Sequence, residues 1–112
     1  MTQHETNECI VACLECAAIC NYCANACLHE QDVQNLVRCI KLNMQCAAVC
    51  RTTAELLSMQ GEFGDSLCDI CADICNACAE ECEMHGKMGM QHCAKCATVC
   101  HKCAEACMQM VA

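Results

Sequence analysis

The sequence predicts an all-α fold, an antiparallel up-down four-helix bundle with a cysteine-lined core, and three observations predict it. Cysteines recur at alternating steps of three and four residues over three long stretches, proline is absent, and the four glycines, Gly61, Gly64, Gly86 and Gly89, fall where that rhythm stops. A three/four alternation keeps one face of a helix toward a common interior, whereas a strand requires a period of two. Glycines between periodic segments mark the turns.

The first helix is expected from Gln3 to His29, with cysteines at 9, 13, 16, 20, 23 and 27. Thr2 and Glu5 have the spacing of a capping box at its start. A polar run, His29 to Asp32, ends it. The second helix is expected from Asp32, a candidate N-cap, to Ser58. It keeps the phase but spends it differently, on Leu36, Cys39, Asn43, Cys46, Cys50, Thr53 and Leu57. The third runs from Asp65, again a candidate N-cap, to Met84, with cysteines at 68, 71, 75, 78 and 82. The fourth, Met90 to Val111, carries them at 93, 96, 100, 103 and 107.

Equivalent turns of the four segments read CAAIC (16–20), CAAVC (46–50), CADIC (71–75) and CATVC (96–100). The alanine after the first cysteine leaves room for neighbouring backbones to approach, and Ile19, Val49, Ile74 and Val99 supply bulk beside it. Glu15, Lys41, Arg51, Asp73, Glu80, Lys95 and Glu105 fall on outward faces. A chain of 112 residues is the size of one domain, 1–112, and short connections make successive helices antiparallel.

Composition excludes several functions. Six basic residues stand against fourteen acidic ones, for a formal charge of -8, and the only aromatics are Tyr22 and Phe63. Nucleic acid requires a basic footprint and usually stacking rings, and an anionic membrane surface requires basic clusters. No apolar run approaches the 18 or so residues of a membrane span, and the start, MTQHETNEC, lacks the regions of a secretory signal. The expected location is the cytoplasm.

Nineteen cysteines need a use. A disulfide scaffold would go with an export signal, an even count and irregular spacing. Redox C-x-x-C pairs are disfavoured in mid-helix, where residues three or four apart have Cβ atoms about 5–6 Å apart against the roughly 3.5–4.5 Å of a disulfide. As mere core filler, leucine or valine would bury more apolar area at less oxidative risk. The remaining use is metal. Thiolates select Cu(I), Zn(II) or iron–sulfur clusters, and charge separates these. A two-coordinate Cu(I) bridging successive sulfurs brings about one positive charge per thiolate, so a filled tube is nearly neutral. Zinc takes four ligands, which leaves each all-thiolate site anionic, and iron–sulfur cysteines cluster in loops.

The expected cargo is therefore Cu(I), at more than about ten ions per chain by ligand count. Its ligands are Cys9, Cys13, Cys16, Cys20, Cys23, Cys27, Cys39, Cys46, Cys50, Cys68, Cys71, Cys75, Cys78, Cys82, Cys93, Cys96, Cys100, Cys103 and Cys107. Zn(II) storage or buffering and a copper-responsive protein-interaction module are the alternative readings. No catalytic arrangement stands out, so no enzyme is expected. Candidate entry ligands are His29, Met84, His85, Met88, Met90 and His92, which an up-down bundle gathers at one end. The other end is expected to be closed by Leu56, Leu57, Phe63 and Leu67, although Met1, His4, Met59, Met108 and Met110 could decorate it.

The runs CLECAAICNYCANAC, CDICADICNACAEEC and CAKCATVCHKCAEAC, with a cysteine-poor second helix carrying CIKLNMQCAAVC, resemble the cytosolic copper storage proteins of bacteria over essentially the whole chain. The resemblance implies cytosolic Cu(I) storage, a homotetramer of bundles, and the cysteines above as ligands. A copper donor or acceptor protein is a further expected partner. Asn43 and Thr53 interrupt the second helix's line and are expected to leave local gaps in the metal array.

Overall fold

The computed structural model describes residues 2–111, so Met1 lies outside the described residues. Four helices follow one another: α1 (Gln3–Leu28), α2 (Val37–Ser58), α3 (Gly64–Gly86) and α4 (Gln91–Val111). Each packs against its two neighbours in an up-down ring, α1 and α3 each lying between α2 and α4. The bundle is long and narrow, 45 × 19 × 17 Å.

The capping box at the start of α1 forms as the sequence requires. Thr2 Oγ1 accepts from the Glu5 amide at 3.1 Å, and the Glu5 carboxylate accepts from the Thr2 amide at 3.0 Å. The two aspartates behave differently from expectation. Asp32 heads a single 3-10 turn, Val33–Leu36, where its carboxylate accepts from Asn35 Nδ2 at 2.6 Å and caps no helical N–H. Leu36 at the end of that turn is fully buried, so its side chain anchors the tighter winding and α2 starts one turn late. Asp65 lies inside the first turn of α3, whose N-cap is Phe63; its negative charge still faces the positive end of the helix.

Small residues let the helices close in. Ala17, Ala47, Ala72 and Ala97 are all buried, flanked by the half-buried Ile19, Val49, Ile74 and Val99. The end of α3 and the start of α4 approach closely, so that a Cβ on Gly86 would stand 2.9 Å from Ala94 Cα and Cβ. Gly89 then turns the chain with φ 101°.

The core is sulfur. All nineteen cysteines are buried with no accessible surface, accompanied mainly by alanine. Among the described helices α1 is long and apolar enough to cross a membrane by length and composition; its inward thiols and alanines contribute to that character together with Val11 and Leu14 on its exposed face. The end away from the α1–α2 turn is closed by Leu57 and Met110, both buried, with Leu56 and Leu67 half-buried beside them. Phe63 does not take part. It is 64% exposed, because as N-cap of α3 it sits on the outside of a turn.

Candidate metal centre

Helical periodicity brings each inward cysteine into reach of cysteines on other helices. At mid-bundle, Cys46 Sγ lies 3.6 Å from Cys75 and 3.9 Å from Cys16, and Cys16 lies 3.7 Å from Cys100. Cys50 stands 3.7 Å from both Cys71 and Cys75 and 4.0 Å from Cys103, which is 3.8 Å from Cys13. The outermost pair beyond is Cys9 with Cys107 at 3.8 Å. Toward the α1–α2 turn, Cys93 lies 3.8 Å from Cys23 and 3.9 Å from Cys27, and Cys39 lies 3.7 Å from Cys82. None of these is a disulfide.

Groups of four sulfurs fall within 4.8 Å of one another, and the groups overlap. Cys16 and Cys46 belong both to the set with Cys50 and Cys75 and to the set with Cys20 and Cys100. Two metal–thiolate bonds of about 2.3 Å span about 3.8 Å at a tetrahedral angle, about 4.0 Å in a trigonal site and about 4.6 Å when linear. The sulfur pairs suit three- or four-coordinate ions as they stand, and a two-coordinate ion after opening by more than about half an ångström. The sulfurs are thus already spaced for soft ions that share thiolates.

Asn43, read from sequence as a gap, fills its place with an oxygen. It is fully buried, and its Oδ1 accepts from Cys78 at 3.1 Å, Cys96 at 3.3 Å and Cys82 at 3.7 Å, while Nδ2 donates to Cys39 Sγ at 3.6 Å. It stands where the sulfurs near the α1–α2 turn join those of mid-bundle. Thr53 is also buried, with its hydroxyl donating to the Val49 carbonyl at 2.8 Å, which leaves its methyl for the core. A polar residue on the inward line of a helix is itself a signal; its rotamer is not.

The six candidate entry residues separate. Of the six, His92 is hydrogen-bonded to thiols: its Nδ1 is 3.5 Å from both Cys23 and Cys93, and its Nε2 is 3.0 Å from Glu30 Oε2. Met90 is half-buried against the core, whereas Met84 and Met88 are exposed. His85 is buried but turned to Glu81, whose other oxygen accepts from Arg38 at 2.8 Å. His29 is exposed and bonded to the Asn25 carbonyl. At the far end His4 pairs with Glu8, and Met59 and Met108 are exposed. His101 pairs with Glu83 on the surface.

Electrostatics follow from this packing. Burial pushes the Cys27 thiol up, and contacts with Cys23 and Cys39 push Cys82 up, whereas a contact from Cys107 holds Cys9 down. For Cys68 the Cys107 contact pulls down, Cys9 and burial push up, and the thiol ends at about 12. Burial disfavours the charged form of His92, but the Cys23 and Glu30 contacts outweigh it and hold the imidazole above its ordinary value. Burial likewise opposes ionisation of Glu81, and His85 and Arg38 outweigh it, holding the carboxyl below the usual range.

The profile of one family, described as copper storage protein, matches residues 2–112. The chain belongs to the copper storage protein family. This member of the family is 38% identical to a cytosolic copper storage protein from Streptomyces lividans solved with five coppers, over 96% of this chain and 92% of that one, at a TM-score of 0.93. The Streptomyces protein has also been solved loaded with 10 copper equivalents. Copper storage protein 3 from Bacillus subtilis, in its apo form, is 40% identical over 96% of this chain and 99% of its own, at a TM-score of 0.87. The cysteine-rich protein YhjQ of the same species is 40% identical over 63 residues, which span 56% of this chain and 58% of that protein's length.

Proposed function

We propose that this protein stores Cu(I) in the cytoplasm, holding many ions per chain along the sulfur ladder. The observation that carries the reading is that all nineteen thiols are buried and lie in overlapping groups within bonding reach of shared soft ions. Bridging thiolates suit a monovalent cargo, because each ion cancels about one charge in a medium where an unpaired thiolate is costly. Nineteen thiols taken in fours would serve at most four zinc ions, whereas shared thiolates raise the capacity for Cu(I) above about ten. A relative that has been loaded with 10 copper equivalents supports that range.

The ligands are the nineteen cysteines, joined by Asn43 Oδ1 at the joint in the ladder and His92 Nδ1 at its end. Copper enters at the end formed by the α1–α2 and α3–α4 turns. There Met84 and Met88 offer exposed thioethers, Met90 is half-buried, and His92 touches the outer thiols. Thioether and imidazole bind Cu(I) yet surrender it to thiolates, which gives a direction of travel. Leu57 and Met110 close the opposite end. Homotetramer formation and exchange with a copper donor or acceptor protein complete the proposal, and both rest on the family resemblance.

Anaerobic titration of the reduced protein with Cu(I) against a competing chelator is the test. Uptake beyond about ten equivalents with few reactive thiols left is the expected result. Saturation at four or fewer would overturn storage of Cu(I) and point to separate tetrahedral sites. Replacing Met84, Met88 and Met90 by non-ligating residues should slow loading at nearly constant capacity, and unchanged rates would move the entrance elsewhere.

A further inference from the structure

Of the three imidazoles at the loading end, a carboxylate holds two, those of His85 and His92. The pair Glu81–His85 lies within α3, and Arg38 from α2 completes it; the ring of His85 makes its hydrogen bond to Glu81 and not to a thiol. The pair at His92 is built otherwise. Glu30 belongs to the turn after α1, off the inward line of the bundle, and reaches across to the first turn of α4 to meet Nε2 at 3.0 Å. The opposite ring nitrogen, Nδ1, stands 3.5 Å from Cys23 Sγ and from Cys93 Sγ.

A carboxylate oxygen only accepts, so Nε2 carries a proton, and whenever the ring is neutral Nδ1 presents its lone pair to the two thiols. The His92 side chain is 15% exposed and that of Glu30 36%, so the ring is largely sheltered while the carboxylate keeps its access to water. We propose that Glu30 is a positioning residue for copper: it fixes the tautomer and orientation of His92 so that Nδ1 completes the site formed with Cys23 and Cys93. The proposal rests on the reading that His92 ligates Cu(I). Its physical basis is general, since a carboxylate on the distal nitrogen of a ligating histidine fixes the ring and raises its basicity, and its loss costs roughly 10- to 100-fold in metal affinity. The competing role for Glu30 is to tie the α1–α2 turn to α4, with no bearing on metal.

The test compares Glu30→Ala, Glu30→Gln, His92→Ala and the double variant Glu30→Ala/His92→Ala in the full chain, with folding checked by circular dichroism. In the reduced apo-protein, 15N resonances of the His92 ring should report a single Nε2–H tautomer. Glu30→Ala should mix the two tautomers, and Glu30→Gln, whose amide oxygen still accepts from Nε2–H, should restore the single form. Chelator competition for the most readily removed Cu(I) should show a loss of roughly 10- to 100-fold in Glu30→Ala, at least as large a loss in His92→Ala, and no further loss in the double variant. A Glu30→Ala protein with the original tautomer and affinity, beside a weakened His92→Ala, would overturn the positioning role alone. Equal affinity in His92→Ala, with ring resonances that do not move on loading, would remove the underlying ligand assignment and the proposal with it.

Discussion

Replacing Asn43 by leucine separates the part this residue plays in the fold from the part it plays with copper. Asn43→Leu removes three S–H···O contacts and one N–H···S contact from a fully buried position. Thiols are weak donors, so the low end of the hydrogen-bond range applies, roughly 0.5 kcal/mol each and about 2 kcal/mol in all. Burying a leucine side chain in nearly the same volume returns about 1.5–3 kcal/mol. The two nearly cancel, and the apo variant should melt within about 5 °C of the parent. The loaded variant should not follow. Leucine offers no oxygen contact to an ion among Cys78, Cys82 and Cys96, so that ion, held by the three thiolates alone, should be removed more readily by the chelator, and the gain in melting temperature on loading should shrink. Calorimetry on both forms, with Cu(I) titration against a chelator, reads both effects. Unchanged removal by the chelator with an unchanged loaded melting temperature would refute Asn43 as a ligand, and an apo variant weakened by about 2 kcal/mol or more would refute the cancellation.

Gly86→Ala drives a Cβ to within 2.9 Å of Ala94 Cα and Cβ, which cannot move aside as a flexible side chain would. Overpacking of about 1–3 kcal/mol, less the roughly 1 kcal/mol alanine gains in a helix, should lower the urea midpoint measurably. Gly89→Ala meets open space but φ 101°, so it should cost about 1–2 kcal/mol through backbone strain alone. The Glu5 carboxyl is held below its ordinary 4.5 by the Thr2 amide and hydroxyl. The cap's contribution is thus whole above that pH and disappears as pH falls through the lower folded value; amide exchange in the first turn of α1 should accelerate in acid, and Glu5→Gln should flatten the dependence. Thiols pushed up, such as Cys27 and Cys82, hold protons at neutral pH. Loading with Cu(I) in weak buffer should therefore release roughly one proton per protonated thiol, and uptake without acidification would contradict the protonated resting state.

The helical rhythm was legible because it maps one to one onto burial: every cysteine on the three/four line is inaccessible to solvent, and no other geometry satisfies that spacing. Stagger between helices was not legible. That Cys16 meets Cys46, Cys75 and Cys100 depends on the loops and on how closely alanines let backbones approach. Asp32 and Asp65 had the right residue type for caps, but Leu36 and the Gly61–Gly64 turn set the helix starts instead. Asn43 announced its polarity and hid its direction, since only the bundle decides where an amide oxygen points. Glu30 carried no periodic signal, because a turn residue gains its neighbour from the chain returning through α4.

In most small proteins the volume that keeps the chain folded and the site that meets a ligand are different places. Here the interior that excludes water, cysteine and alanine with few aliphatics, is also the hold. Leu36 in the turn before α2, and Thr53 and Leu57 within it, mark positions given to packing, and each is a seat a thiolate does not have. Hardening this protein by adding aliphatic bulk would therefore shrink what it can carry, and the width of the bundle leaves no second layer in which to recover it. Enlargement has one route, which is length. A further heptad in all four helices extends the bundle by about 10 Å and adds about eight inward positions, so capacity within this architecture grows as a line and not as a volume.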